Sequence, residues 1–121
     1  MANDNLRRRV LLVDDDELTR QSLRMLLESE GHAVQEADDG LDGVIKAKAL
    51  KPDVVVVDIE MPVIDGYSVA RRLREALGAG VRLVALTGHN ERERACAAGF
   101  DVFVLKPSDP EEVVRAVEGL A

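Results

Sequence analysis

The sequence predicts an α/β domain built on a doubly wound parallel sheet, and three observations carry that prediction. Short apolar runs rich in β-branched residues, of which Val54-Val55-Val56-Val57 is the strongest, alternate with amphipathic stretches. The alternation runs strand then helix five times, which specifies parallel strands with helices on both faces, joined by right-handed crossovers. The strand-like runs are continuous rather than alternating, as expected of strands buried on both faces.

Each element follows in order. Val10 to Val13 reads as the first strand, and Asp16 is placed to cap the next helix. That helix takes its stripe from Leu18, Met25 and Leu26, with Leu23 and Leu27 on neighbouring faces, and Gly31 suits the position just past its end. Ala33 to Ala37 is a weaker strand. Leu41, Val44, Ile45 and Ala49 recur at helical spacing until Pro52 prevents continuation. The four valines at 54–57 suit a central strand. Met61 to Gly66 is a loop, and Asp65 or Gly66 opens a helix carrying Val69, Ala70, Leu73 and Leu77, ended by Gly78-Ala79-Gly80. Val81 to Leu86 is the fourth strand, Asn90 to Ala98 a short helix stopped by Gly99, and Val102 to Leu105 the fifth strand. Asp109 as cap, Pro110 in the first turn, then Glu111 and Glu112 open the last helix. Its stripe is Val113, Val117 and Leu120, with Val114 alongside. Residues 1–8 read as a flexible polar arm and residues 9–121 as one domain.

Composition narrows the function classes. The 121 residues include 16 Lys or Arg against 23 Asp or Glu, for a net charge of −7. With 46% hydrophobic and 32% charged residues, the chain has the makings of one core and is not disordered. The acidic balance argues against nucleic acid as a direct partner, because phosphate backbones are bound by clustered Lys and Arg. Tyr67, Phe100 and Phe103 are too few for a base-stacking platform. A single cysteine, Cys96, excludes an internal disulfide and a Cys-rich zinc site, and reads as a small apolar helix residue. No apolar run is long enough for a signal peptide or a membrane span, so the cytoplasm is the expected compartment.

In an open α/β sheet, ligands bind beyond the carboxyl ends of the strands. Those ends carry Asp14-Asp15-Asp16, Asp58, Thr87 and Lys106. Singly, each has an ordinary reading: a helix cap, a strand leaving the core, a β-former, a turn. Together, reactive polar groups at four strand ends point to a site. Two carboxylates about 4 Å apart repel by roughly 4 kcal/mol at an effective dielectric of 20, so a proton or a cation must relieve them. An all-oxygen donor set without His or Cys selects a hard ion, Mg2+ first, then Mn2+ or Ca2+. A carboxylate beside such an ion can attack phosphorus, with Lys106 and Thr87 placed to neutralise and hydrogen-bond the phosphoryl oxygens.

Val13-Asp14-Asp15, then Val57-Asp58-Ile59-Glu60-Met61-Pro62-Val63-Ile64-Asp65-Gly66, Ala85-Leu86-Thr87-Gly88 and Phe103-Val104-Leu105-Lys106-Pro107 resemble the receiver domain of two-component response regulators. The resemblance covers the chain from about residue 8 onward. It implies a flavodoxin-like (βα)5 fold with strand order 2-1-3-4-5. It implies that Asp58 accepts a phosphoryl group from a phosphohistidine of a sensor histidine kinase or a histidine phosphotransfer domain. Asp14, Asp15 and Asp58, with the Glu60 backbone carbonyl, would arrange Mg2+, with Asp15 and Asp58 its direct side-chain ligands. Lys106 would pair with the phosphoryl group beside a cis Lys106-Pro107 bond. Thr87 and Phe103 match the switch pair, and the helix carrying Leu18 would face the donor. Glu60 and His89, two residues beyond Asp58 and Thr87, match positions that tune phosphoryl lifetime; Glu60 would do so by its charge, while His89 also reads as a solvated loop residue. Thr87 to Gly99 is about one helical turn shorter than usual, so a truncated fourth helix is expected. Such a domain is a phosphoacceptor rather than a turnover enzyme, with at most self-directed phosphotransfer and autodephosphorylation.

Other readings compete. Val13-Asp14-Asp15-Asp16-Glu17 also resembles the DxD motif of haloacid-dehalogenase phosphatases, with Asp14 as nucleophile. Leu18 stands where that family wants Thr or Val, and Lys106-Pro107 stands where it wants an acidic pair. A calcium-loop reading fails at Thr19, where Gly is needed. A pseudo-receiver, a binding module that never takes phosphate, is the remaining rival. The chain reads as one receiver with nothing attached, either a free-standing regulator or the receiver piece of a hybrid kinase.

Overall fold

In a computed structural model, the described residues are 7–106 and 109–119. Strands β1 (Arg9–Val13), β2 (Ala33–Ala37), β3 (Val54–Asp58), β4 (Arg82–Thr87) and β5 (Val102–Leu105) alternate with helices α1 (Glu17–Ser29), α2 (Gly40–Leu50), α3 (Gly66–Leu77), α4 (Arg92–Ala98) and α5 (Pro110–Glu118). The strands form one parallel sheet in the order β2-β1-β3-β4-β5. The valines of β3 are central because both faces of that strand are covered. Val55 and Val57 join Leu11, Val13, Leu83 and Ala85 in a layer against α2, α3 and α4. Val54 and Val56 join Val10, Leu12, Val84 and Leu86 in a layer against α1 and α5. A period of two sends successive side chains into opposite layers, which is why the runs of the inner strands β1, β3 and β4 are apolar on both faces, while the edge strand β2 carries Gln35 and Glu36.

Helix boundaries follow local chemistry. The Asp65 carboxylate accepts from the Ser68 N–H at 2.9 Å and opens α3; that of Asp109 accepts from the Glu111 N–H at 3.0 Å, just ahead of Pro110. Asp16 holds the N-cap position of α1, but its carboxylate takes the Thr19 hydroxyl instead of a backbone amide. Gly31, at φ +97°, ends α1: its N–H donates to Glu28 and that of His32 to Leu27, which closes the last turn.

The structure corrects both helix stripes in the first half of the chain. Leu18 and Met25 are 72% and 73% exposed, and α1 packs through Leu23, Leu26 and Leu27. Residues seven apart share a face, so the sequence offered two apolar faces, and the sheet covers only one. On α2, Leu41, Ile45 and Ala49 are exposed, and Gly40, Gly43, Val44 and Ala47 are buried. A Cβ at Gly43 would lie 2.8 Å from Val13 Cγ2, so α2 approaches β1 through its smallest residues.

The fourth helix is short, seven residues beginning at Arg92 rather than Asn90. Gly99 ends it at φ +113°, and a Cβ there would lie 2.8 Å from Arg74 Cγ. Arg74 reaches from α3 to the carbonyls of Gly99, Gly78 and Val81 and to the Asp101 carboxylate, so one guanidinium ties α3 to the chain on either side of β4. Cys96 lies on α4 but is exposed, not packed. Arg8, assigned to the arm, is tied in: its N–H donates to His32 Nδ1 at 2.9 Å, and its carbonyl accepts from the Ala33 N–H. The rest of the arm through residue 6, the Lys106-Pro107 bond and Leu120 lie outside the described residues. Among the described residues, no helix is long and apolar enough to cross a membrane.

Candidate functional site

Strand register assembles the site. Val13 pairs with Val57, so Asp14 and Asp58 leave neighbouring strands side by side. Asp58 pairs with Leu86, and Thr87 with Leu105, which brings Thr87 and Lys106 to the same edge. Carboxylate oxygens of Asp14, Asp15 and Asp58 all lie within 4.8 Å of one another. Asp14 and Asp58 are each only 4% exposed, and Asp15 is open to solvent.

The two buried carboxyls differ in their partners. Asp14 Oδ1 accepts from the Asp16 N–H at 2.9 Å, while Oδ2 is buried without a hydrogen-bond partner among the described residues. Burial above all, reinforced by the charge of Asp58, pushes the Asp14 pKa up to about 6 against the pull of the Asp16 amide. Asp58 Oδ1 accepts from Lys106 Nζ at 3.0 Å and from the Glu60 N–H at 3.1 Å. Burial still holds its pKa above the usual carboxylate value. For Lys106, burial works the other way, but the hydrogen bond and charge of Asp58, with Asp14 and Glu60 nearby, raise its pKa. A buried carboxylate oxygen left unpartnered beside two further carboxylates fits a hard cation held by oxygen donors.

Glu60 does more than add charge at the mouth. Its carboxylate accepts from the Thr87 hydroxyl and from the Gly88 N–H at 3.1 Å, with Lys106 Nζ 4.0 Å away. Burial opposes its ionisation, but the Thr87 and Gly88 hydrogen bonds prevail and hold its pKa below the usual value. Thr87 is fully buried. Phe103 pairs in register with Ala85, and Ala85 and Thr87 share a face of β4, so Phe103 stands on the same side of the sheet as the Thr87 side chain. Phe103 is half-buried, and the Arg92 guanidinium lies 4.8 Å from its ring centroid. His89 is exposed and meets the site through its backbone, its N–H donating to Thr87 Oγ1 at 3.1 Å.

Two features escaped the sequence reading. The Gly88 amide is a donor at the site, and a backbone N–H has no residue-type signature. A cavity of about 640 Å³ lies beside Lys106, lined by Leu18, Thr19, Leu23, Leu86 and Val113, between α1 and α5. Its signal was Leu18, an apolar residue in the first turn of a helix that packs through another face.

A family model described as the response regulator receiver domain matches residues 10–118. The transcriptional regulatory protein ResD of Bacillus subtilis is 34% identical over 113 residues, covering 93% of this chain and 47% of that protein. The chemotaxis protein CheY of Halobacterium salinarum is 35% identical over 113 residues, covering 91% of this chain and 93% of that protein. Among solved structures, the receiver domain of the sensor histidine kinase PA1611 from Pseudomonas aeruginosa, with a magnesium ion coordinated in its active-site cleft, is similar at a TM-score of 0.81 and 29% identity, covering 93% of this chain and 98% of that one. The chain spans about half the length of curated relatives such as ResD.

Proposed function

The chain belongs to the response regulator receiver domain family, and from that premise we propose that Asp58 accepts a phosphoryl group from a phosphohistidine of a histidine kinase or histidine phosphotransfer domain. The observation that carries this reading is the buried Asp58 carboxylate, held by Lys106 at 3.0 Å inside a cluster of three aspartates. Lys106 and the Glu60 amide both bind Oδ1, which orients the carboxylate and leaves Oδ2 as the oxygen offered to phosphorus. As the new O–P bond forms, the P–N bond to the donor imidazole breaks and its electron pair returns to the ring nitrogen. Lys106 and the Thr87 hydroxyl take up charge on the phosphoryl oxygens, each prepositioned at a strand end. Asp14, Asp15 and Asp58, with the Glu60 backbone carbonyl, would hold Mg2+, or Mn2+ in its place, and Asp14 Oδ2 has no other partner among the described residues to lose. When bound, the ion supplies positive charge that offsets the carboxylates and polarises the incoming phosphoryl group. Thr87 and Phe103, on one side of the sheet, form the route by which the change reaches β5 and α4. Leu18 and the apolar cavity beside Lys106 form the face that receives the donor. The chain undergoes its own modification in the cytoplasm and turns over no separate substrate.

Acetyl phosphate with Mg2+, followed by intact mass, tests this. One phosphoryl group is expected on the wild type and none on Asp58→Asn or in EDTA. Modification at Asp14 would support a phosphatase instead, and none at all a pseudo-receiver.

A further inference from the structure

Three donors beside the phosphoacceptor converge on a carboxylate of the chain itself. Glu60 leaves β3 two residues after Asp58, and its side chain turns toward the end of β4. The Thr87 hydroxyl donates to Oε2, the Gly88 N–H lies 3.1 Å from Oε1 and 3.3 Å from Oε2, and Lys106 Nζ lies 4.0 Å from Oε1. Lys106 Nζ is also 3.0 Å from Asp58 Oδ1, so one ammonium faces both the phosphoacceptor and Glu60. These are groups suited to a phosphoryl on Asp58: a hydroxyl, an ammonium and, beside them, a backbone amide outside the sheet's own hydrogen bonding. A carboxylate and a face of a phosphoryl group present the same chemistry to them, anionic oxygens that accept charge-assisted hydrogen bonds.

We propose that Glu60 is an internal surrogate for the phosphoryl group, occupying the Thr87 hydroxyl and the Gly88 amide until phosphorylation of Asp58 displaces it. The proposal rests on the phosphoacceptor reading above and adds its regulation. Thr87 then turns from one anion to another, so Glu60 sets the threshold that a phosphoryl group must overcome. This differs from simple charge repulsion, which would depend on the charge of residue 60 but not on its reach. The surrogate needs reach, and aspartate would set its carboxylate one methylene further from Thr87 than Glu60 does.

The contact and its consequence are read separately, in the wild type, Glu60→Ala and Glu60→Asp. Residue 60 is on the surface, so neither substitution threatens the fold. In metal-free protein without any phosphoryl analogue, the Gly88 amide proton should move upfield and exchange roughly tenfold faster in both variants, the worth of one hydrogen bond to a charged acceptor. An unchanged Gly88 amide in Glu60→Ala overturns the proposal. With Mg2+, beryllofluoride should bind both variants about tenfold more tightly than the wild type. That gain should vanish in a Thr87→Val background. If Glu60→Asp binds like the wild type, charge alone is responsible and the surrogate is refuted. Failure of the phosphoacceptor reading looks different: beryllofluoride binds none of the proteins, which removes the surrogate as well, while the Gly88 amide still reports the Glu60 contact.

Discussion

Asp14 carries the clearest electrostatic cost in the molecule, and the cost has a sign that can be worked out. Its ordinary pKa is 3.8 and burial pushes it up to about 6, so the folded chain holds the proton more tightly than the unfolded chain does. Stability is therefore full where both states are protonated, and is lost as pH rises from about 4 to about 6. The loss is on the order of 2–3 kcal/mol. Metal-free Asp14→Asn should melt about 5 °C or more above the wild type at pH 7.5. At pH 3.5 that difference should disappear, and Mg2+ should narrow it at pH 7.5 by raising the wild type. Melting at or below the wild type at pH 7.5 would count against a repelling cluster. Val63 is the second costly residue. It is β-branched, 98% exposed and sits at φ +71°, in the left-handed region that such side chains avoid. Asn tolerates that region and no packing is lost, so Val63→Asn should stabilise the fold by about 1 kcal/mol in denaturant unfolding. At this scale the sequence was a good guide to which polar groups stand at the strand ends and a poor one to their partners. Asp14, Asp58, Thr87 and Lys106 were legible as strand-end groups. The Thr87–Glu60 contact was not, because it joins the last side chain of β4 to one in the loop after β3, through loop geometry that no periodicity encodes.

Helices expose a different limit. The strands could be read almost residue by residue, because a strand covered on both faces must be apolar throughout. A helix shows the sheet only one face, and α1 and α2 each carry more apolar residues than that face holds. On α2 the buried face is made of Gly40, Gly43, Val44 and Ala47, so counting large apolar residues selects the wrong side. Close approach to β1 is the deciding force, and it gives a prediction contrary to helix propensity. Gly43→Ala improves the intrinsic helix but drives a Cβ into Val13, a stiff, buried side chain. It should destabilise by about 1–3 kcal/mol in denaturant unfolding. Ile45→Lys, on the exposed face, should change stability by less than about 0.5 kcal/mol. A stabilised Gly43→Ala protein would show that α2 can retreat from the sheet. In α3 and α5 the stripes at Val69, Ala70 and Leu73 and at Val113 and Val117 matched the structure because few apolar residues compete with them.

At the scale of the whole molecule, topology decides where chemistry can occur. The order β2-β1-β3-β4-β5 takes the chain outward from β1 to one edge and then back across to the other. The switch point lies between the carboxyl ends of β1 and β3, where two adjacent crossovers diverge and open a crevice. Asp14 and Asp58 stand on its two sides. Part of the net charge of −7 is thus concentrated in one crevice, where, on the proposed reading, repulsion among carboxylates would become affinity for a cation and, through it, for a phosphoryl group. The central claim is that Asp58 is the residue that takes that group. Borohydride converts an aspartyl phosphate to homoserine, so peptide mapping after phosphotransfer from a phosphohistidine donor in Mg2+ reads the acceptor directly. Homoserine at position 58 is the expected result. Homoserine at position 14, or unchanged aspartate at both positions, would contradict the claim.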